Sequence, residues 1–304
     1  MPKRTVLFDR HERLGGRIVD FHGWLLPVQY EGILAEHAHC RQSVVVFDTC
    51  HMGQIAIRGS DAAGELSRLL TQDAAALPVG RARYGLLLNE RGGILDDTIL
   101  LRLADDEFLL VVNAGPRDSD FDWLAWHMSR SVTLEDRSQS WGKLDVQGPG
   151  SFAALRPLVD AHLEKLAYFH VVRAQCCGRQ AIVSRTGYTG ELGYEIFLPM
   201  EDVPAVFDEL LSREAVRPAG LGARDSLRLE MCYPLYGQDI DEETTPLEAD
   251  LGRFVDLRRE FMGAAALRAV AAVGVRRRLV AFRAETRRRA ESGMEIAAPD
   301  GRIV

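Results

Sequence analysis

Two strand-like runs, residues 94–103 (ILDDTILLRL) and 107–113, are separated only by Ala104-Asp105-Asp106. Three polar residues are too few for the crossover that parallel strands require, so the two runs are expected to pair as a hairpin. The pattern recurs at 171–175 and 180–185, turning at Cys177-Gly178, and leads through a glycine-rich loop at 186–193 into another strand ending near Leu198. Helical periodicity is interleaved with these pairs. Residues 60–71 read as a helix capped by Ser60, with Leu66, Leu69 and Leu70 on one face. Phe121, Leu124 and Met128 mark a second helix. Val203, Val206, Phe207, Leu210 and Leu211 make 202–211 amphipathic, and further helices are expected from about Ala223 to Met231 and over 263–273. Hairpins mixed with helices, without regular βαβ alternation, predict an α+β fold rather than a doubly wound sheet.

The chain has 304 residues, 47% hydrophobic and 27% charged, which suits two or three globular domains. No apolar run approaches the ~18–20 residues needed to cross a bilayer. The N-terminus MPKRTVLFDRHERLGG lacks the apolar core of a signal peptide, so no membrane association and a cytoplasmic location are expected. A net charge of −7 argues against nucleic acid as a partner. Lys3, Lys143 and Lys165 are the only lysines, which leaves few candidates for Schiff-base chemistry. Five cysteines without a repeated spacing (Cys40, Cys50, Cys176, Cys177, Cys232) read as thiols in a reducing compartment. Near the C-terminus, Arg276–Arg278 and Arg287–Arg289 flank the strand-like LVAF at 279–282. A boundary is therefore expected within 270–278, with a small β module starting near Leu279. One or two strands cannot bury a core alone, so that module either packs on the main body or is cut short.

Three constellations could carry chemistry. Asp96 and Asp97 lie in a strand of mostly apolar residues, where alternation sends neighbours to opposite faces and separates the two carboxylates. A carboxylate in such surroundings needs a cation or donors. It is either salt-bridged to an arginine or an anionic site for a cationic group or a ring N–H. The segment RTGYTGELGYE (185–195) sets Gly187, Gly190 and Gly193 around Tyr188 and ends in Glu195, which can accept hydrogen bonds from an amino-pyrimidine edge. Turn chemistry alone also accounts for the glycines. In GLGARDSLRLE (220–230), Arg224 and Arg228 share a helix face. Arg224 lies in the first turn, where the helix dipole disfavours a cation, and so calls for an anionic partner from the protein or from a ligand. GPGSFA (148–153) only loosely resembles a dinucleotide fingerprint. Among Glu36, His37, His39 and Cys40, Glu36 and Cys40 share a helix face while His37 and His39 diverge, and no HExxH or paired CxxC is present, so no metal is expected.

Seven ordered blocks make the chain recognisable: VDFHGWLLPVQY (19–30), FDTCHMG (47–53), YGLLLNERGGILDD (84–97), VVNAG (111–115), RTGYTGELGYEIFLP (185–199), GLGARDSLRLE (220–230) and PLYGQDIDEETTPLEADLG (234–252). Over nearly its whole length it resembles the glycine cleavage system T protein, the aminomethyltransferase family. The resemblance implies tetrahydrofolate as cosubstrate and the lipoylated H protein as donor. The methylene of an aminomethyl group on the lipoyl sulfur would pass to tetrahydrofolate with release of ammonia. It implies Asp96 as the key acidic residue, with Tyr84, Asn113, Tyr188, Glu195, Arg224 and Tyr233 around the folate. It also implies two intertwined α+β domains around a central folate channel, with a C-terminal β-barrel. Residues 1–275 would form the folate-binding region, one subdomain from 1–46 with 140–275 and the other from 47–139. Residues 276–304 would begin the barrel, without its closing strands. The chain departs from the family pattern at Cys50, at Leu25 and over ETRRRAESGMEI (285–296). A folate-dependent demethylase acting on a methylated sulfur or oxygen compound is the nearest rival. A non-catalytic folate-binding accessory protein is another, although its Lys-Gly-Cys-Tyr-type motif is absent.

Overall fold

Both expected hairpins form, and each nucleates a larger sheet. The computed structural model describes residues 1–283, 293–298 and 300–303. Strands Ile94–Ala104 and Glu107–Val112 pair antiparallel inside a five-stranded sheet, completed by Ala82–Leu88, Gly53–Arg58 and Thr133–Asp136. Strands Val171–Cys176 and Arg179–Ser184 pair across a tight turn in which Cys177 (φ 53°) and Gly178 (φ 73°) both take the left-handed conformation. Positive φ at both central residues gives a turn whose twist matches that of paired strands. They open a six-stranded sheet that continues through Gly193–Pro199, Trp141–Gln147, Val44–Asp48 and Val216–Pro218. A three-stranded sheet near the N-terminus joins Lys3–Arg4, Arg17–Phe21 and Trp24–Gln29.

The helices cover these sheets with the faces that periodicity assigned. Val203, Val206, Phe207 and Leu210 of helix Val203–Leu211 enter the core beneath the six-stranded sheet, beside Leu144, Val146, Ile196 and Leu198. Leu66 and Leu69 of helix Ala62–Leu69, followed by Leu70, join a second core with Ile55, Leu100 and Leu110. Ser60 does not cap that helix. Asp61 occupies the cap position, and neither supplies a side-chain cap hydrogen bond.

The C-terminal expectation needs the larger correction. LVAF at 279–282 forms no strand despite its propensity, and Val280 and Phe282 are exposed. Its first residue docks on the body instead, where Leu279 N–H donates to Glu248 O at 2.7 Å and Arg277 Nε to Glu248 Oε1 at 2.9 Å. Among the described residues beyond 278 the pairing is a single bridge between Ala297 and Ile303, and no closed barrel forms. Arg287–Arg289 and most of 285–296 lie outside the described residues.

Candidate functional site

The Ile94–Ala104 strand carries one extra residue. Leu87 faces Asp96 and Leu88 faces Ile94, leaving Leu95 as a bulge just before the two aspartates. A bulge bends its strand and re-aims neighbouring side chains. Both carboxylates consequently reach one partner, Asn113, just beyond the end of the adjacent strand. Its backbone N–H donates to Asp96 Oδ2 and its Nδ2 to Asp96 Oδ1, each at 2.8 Å. The same Nδ2 reaches Asp97 Oδ1 at 2.8 Å and Asp97 O at 3.1 Å. The separation expected from simple alternation is thus undone locally. Of the two alternatives for these acids, the arginine salt bridge does not form: among the described residues no cation forms an ion pair with Asp96 or Asp97.

Asp120, on helix Arg117–His127, is the third carboxylate here, and the sequence reading missed it. It is 2% exposed, and its Oδ2 is buried without a hydrogen-bond partner. Asp118 and Asp122 on the same helix are exposed, so an acidic run conceals one inward member. Burial, then the Asp120 and Asp97 charges, push the fully buried Asp96 well above the usual carboxylate range. Burial likewise raises Asp97 to about 6 and Asp120 to about 7. The Tyr84 hydroxyl is enclosed beside Asp97 without completing a well-formed hydrogen bond, and its ring packs edge-on against Phe254 at 4.6 Å. Burial and the neighbouring Asp97 hold this phenol firmly protonated.

The second group grows from the glycine-rich loop. Gly187 and Gly193 do not adopt positive φ; only Gly190 does, at 79°. Their lack of a side chain serves close approach instead. A Cβ on Gly187 would meet Gln147 Oε1 at 2.2 Å, and one on Gly193 would meet Gln147 Nε2 at 2.1 Å. The amide filling this space donates to Asp145 Oδ1 at 2.5 Å and to Thr186 O at 3.1 Å, and accepts from Thr189 Oγ1 at 2.7 Å. Tyr188 then lies nearly parallel to Tyr233, with ring centres 5.9 Å apart, and donates its hydroxyl to Pro234 O. The Arg224 guanidinium sits 4.9 Å from the Tyr188 ring centre.

Arg224 has the anionic partner its helix position demands, and that partner is a protein carboxylate: Nη1 donates to Asp145 Oδ2 at 2.6 Å. Arg228, almost fully buried one turn later, takes a different job. Its Nε donates to Asp225 Oδ1 at 2.8 Å and its Nη1 to Tyr233 O at 3.0 Å and to Asp239, fixing the loop that carries Tyr233. Glu195 sits opposite Asp145 across two strands and is tied to Lys143, while Thr186 Oγ1 donates to its second oxygen at 2.5 Å. Burial opposes its charge, but Lys143 and Thr186 prevail and hold Glu195 below the usual carboxylate range.

The structure therefore gathers the expected residues into two groups, Tyr84–Asp96–Asn113 and Tyr188–Glu195–Arg224–Tyr233. The Asp97 charge acts on both Tyr84 and Tyr188, which links them. Lys143, Asp145 and Gln147 escaped the sequence reading, although WGKLDVQ alternates strictly between polar and apolar residues. Such alternation ordinarily marks a solvent face, but here the polar face is buried. Cys50 is packed in the core with its Sγ 3.5 Å from Lys143 O, where burial pushes its thiol up. Glu36 is no metal ligand. Its carboxylate accepts from the N–H groups of Tyr30 (2.6 Å), Gly32 (3.1 Å) and Gly220 (2.8 Å). No group of three or more potential ligands suited to a metal occurs among the described residues.

The family model described as the GCVT N-terminal domain matches residues 7–259. An aminomethyltransferase from Thermotoga petrophila is 42% identical over 305 residues, covering 99% of this chain and 84% of its own length. One from Rubrobacter xylanophilus is 43% identical over 298 residues, covering 97% and 80%. The crystal structure of glycine cleavage system aminomethyltransferase T from Bartonella henselae superposes with a TM-score of 0.94 at 36% identity, covering all of this chain and 84% of that one. The chain belongs to the GCVT family and has its α+β fold. It is a transferase.

Proposed function

We propose that the chain is an aminomethyltransferase of the glycine cleavage system, moving the methylene of an aminomethyl group from a lipoylated H protein to tetrahydrofolate with release of ammonia. The names of its relatives support this reading, and one observation carries it: Asp96 is a fully buried carboxylate with no ion-pair partner among the described residues, both oxygens held by Asn113. Burying such a group costs several kcal/mol, roughly, unless something compensates. A substrate on which positive charge develops supplies the compensation.

The residues fit a folate. Tyr188, Tyr233 and Arg224 offer stacking surface, the charged Glu195 offers acceptors, and the enclosed Tyr84 hydroxyl beside Asp97 and Asp120 Oδ2 beside Asp96 complete no well-formed hydrogen bond. Tetrahydrofolate, when bound, supplies the nitrogens that accept the one-carbon unit. The protein's part is orientation and electrostatics. An aminomethyl thioether gains cationic, iminium-like character as ammonia leaves; that charge offsets the burial holding Asp96 toward its neutral form and favours its ionised form, which stabilises the cation as an oxyanion hole would, with the sign reversed. Asn113 locks that carboxylate in place, so no reorganisation is needed as charge develops. The Asp97 and Asp120 carboxyls, raised to about 6 and about 7, can hold or release a proton close to neutral pH.

The division into 1–46 with 140–275 and 47–139 is supported by the strand membership of the two large sheets. Five free cysteines among the described residues fit a reducing, cytoplasmic setting. The test is turnover of aminomethylated lipoyl carrier with tetrahydrofolate, following ammonia and methylenetetrahydrofolate. Asp96→Asn is expected to lower kcat about 10²–10³-fold, the loss typical of one preorganised charge-stabilising group. Near-wild-type turnover by that variant would overturn the electrostatic assignment. Transfer only from a methylated sulfur or oxygen compound would replace the donor.

A further inference from the structure

Along Trp141–Gln147, the face that carries Lys143, Asp145 and Gln147 is as buried as the face that carries Leu144 and Val146. Cross-strand register places Glu195 opposite Asp145 and Phe197 opposite Lys143, so one face of the sheet holds two acids and a lysine. Arg224 arrives from its helix as the second cation. The ionised groups pair off: Lys143 with Glu195, and Arg224 with Asp145. Thr186 and Ser184 continue the chain, with Thr186 Oγ1 2.5 Å from Glu195 Oε2 and Ser184 Oγ 2.6 Å from Thr186 Oγ1.

Stability is a poor reason for this arrangement. A buried ion pair at best roughly breaks even against apolar side chains of the same volume. The Lys143 stem already runs beside Phe197, its Nζ 6.0 Å from the ring centre, so an apolar residue would fit that wall. The pair instead controls which hydrogen-bonding form Glu195 presents. An ionised carboxylate only accepts, whereas a protonated one turns a donor outward. The amino-pyrimidine edge of a pteridine offers adjacent N–H donors and is matched only by the ionised form.

We propose that Lys143 is a positioning residue for folate recognition: by pairing with Glu195 at the edge of the site it keeps that carboxylate an acceptor, and so fixes selection of a ring bearing adjacent N–H donors. This rests on Glu195 holding the pteridine edge. The groups acting on Glu195 are Lys143 and Thr186 by contact, and Asp145 and Arg224 by charge; Tyr168 feels the Glu195 charge, and His51 feels both cations. Removing Lys143 leaves Glu195 buried and facing the Asp145 charge with only Arg224 nearby. Its protonation would then move up.

The experiment measures tetrahydrofolate Kd under anaerobic conditions by quenching of intrinsic fluorescence, from pH 5.5 to 9, for wild type, Lys143→Met, Lys143→Arg and Glu195→Gln. Wild type sets the reference profile, which includes the titration of Asp97 and Asp120. Relative to it, Lys143→Met should bind at least about tenfold more weakly at pH 7 and recover as pH rises, while Lys143→Arg should restore the wild-type profile. A Lys143→Met profile unchanged from wild type, or weakened by one factor at every pH, overturns the proposal. Should that variant fail to fold, infrared spectra of the wild type with ¹³C-labelled glutamate decide the matter. Glu195 ionised down to about pH 5 supports the proposal, and a protonated carboxyl band at pH 7 overturns it. Glu195→Gln separates the two levels, since unchanged affinity there removes the reading of Glu195 as the pteridine anchor itself.

Discussion

Asn113 offers the sharpest handle on the carboxylate cluster, because one truncation removes donors from two acids and leaves the backbone contact intact. In Asn113→Ala the Nδ2 bonds to Asp96 Oδ1 and Asp97 Oδ1, both 2.8 Å, are lost, while the N–H of residue 113 still reaches Asp96 Oδ2. A hydrogen bond to a charged group contributes about 1.5–3 kcal/mol. The anion loses that support and the neutral acid does not, so the pKa of Asp96, already raised by burial, moves further up. The ionised fraction at a given pH falls, and the acid limb of the kcat/KM profile shifts to higher pH. At about 1.4 kcal/mol per tenfold, the rate at pH 7 should drop about 10- to 100-fold. Above the shifted limb Asp96 is ionised again, so the deficit should shrink steadily toward pH 9. The assay is ammonia release from aminomethylated carrier at saturating and subsaturating tetrahydrofolate between pH 5.5 and 9. A deficit of the same size at every pH would refute the reasoning, since simple misplacement of the substrate carries no pH signature.

Two further outcomes follow from the frame around the site. Asp48 is buried and accepts from Thr5 Oγ1 (2.6 Å) and Cys50 N (2.9 Å), with His11 Nε2 at 2.8 Å; despite the opposing cost of burial, these contacts hold its carboxyl below the usual range. Asp48→Ala should therefore cost about 3–5 kcal/mol, read as a loss of about 10 °C in Tm, and the stability contributed by Asp48 in wild type should be present above about pH 4 and lost as pH falls through the lowered native pKa; a melting curve unchanged by the substitution at pH 7 would contradict this. Gly187→Ala drives a methyl group into the buried Gln147 amide and breaks its three hydrogen bonds, so it should lower stability by about 2 kcal/mol and weaken tetrahydrofolate binding, measured by denaturant melts and fluorescence titration.

The fold was largely legible because its information is local. A three-residue link forces a hairpin, and the spacing of Val203, Val206, Phe207 and Leu210 admits one buried helix face. What escaped is whatever depends on the far side of a contact. Alternation placed Asp96 and Asp97 on opposite faces, but the Leu95 bulge is set by pairing with Leu87 and Leu88. Asp120 resembled its exposed neighbours Asp118 and Asp122 until the sheet against its helix was known. Lys143, Asp145 and Gln147 went unremarked because no local rule reveals that a sheet is covered on both sides. LVAF failed in the opposite sense: it has strand propensity, but among the described residues no strand pairs with it. Arg224 was legible for an electrostatic reason, since a cation in a first helical turn demands an acid wherever that acid lies in sequence.

The contrast between the two large sheets has a bearing on how the chain is made. The five-stranded sheet uses an uninterrupted stretch, 53–136, and can close soon after its last strand leaves the ribosome. The six-stranded sheet must keep Val44–Asp48 waiting for Val216–Pro218, and Glu36 must wait for the N–H of Gly220. At about 5–20 residues per second, that delay lasts roughly 8 to 34 seconds. Throughout it, the wholly apolar edge of VVVF at 44–47 is open to any passing strand. A strand made early thus has its second edge closed late, and it is where a nascent chain would draw a chaperone.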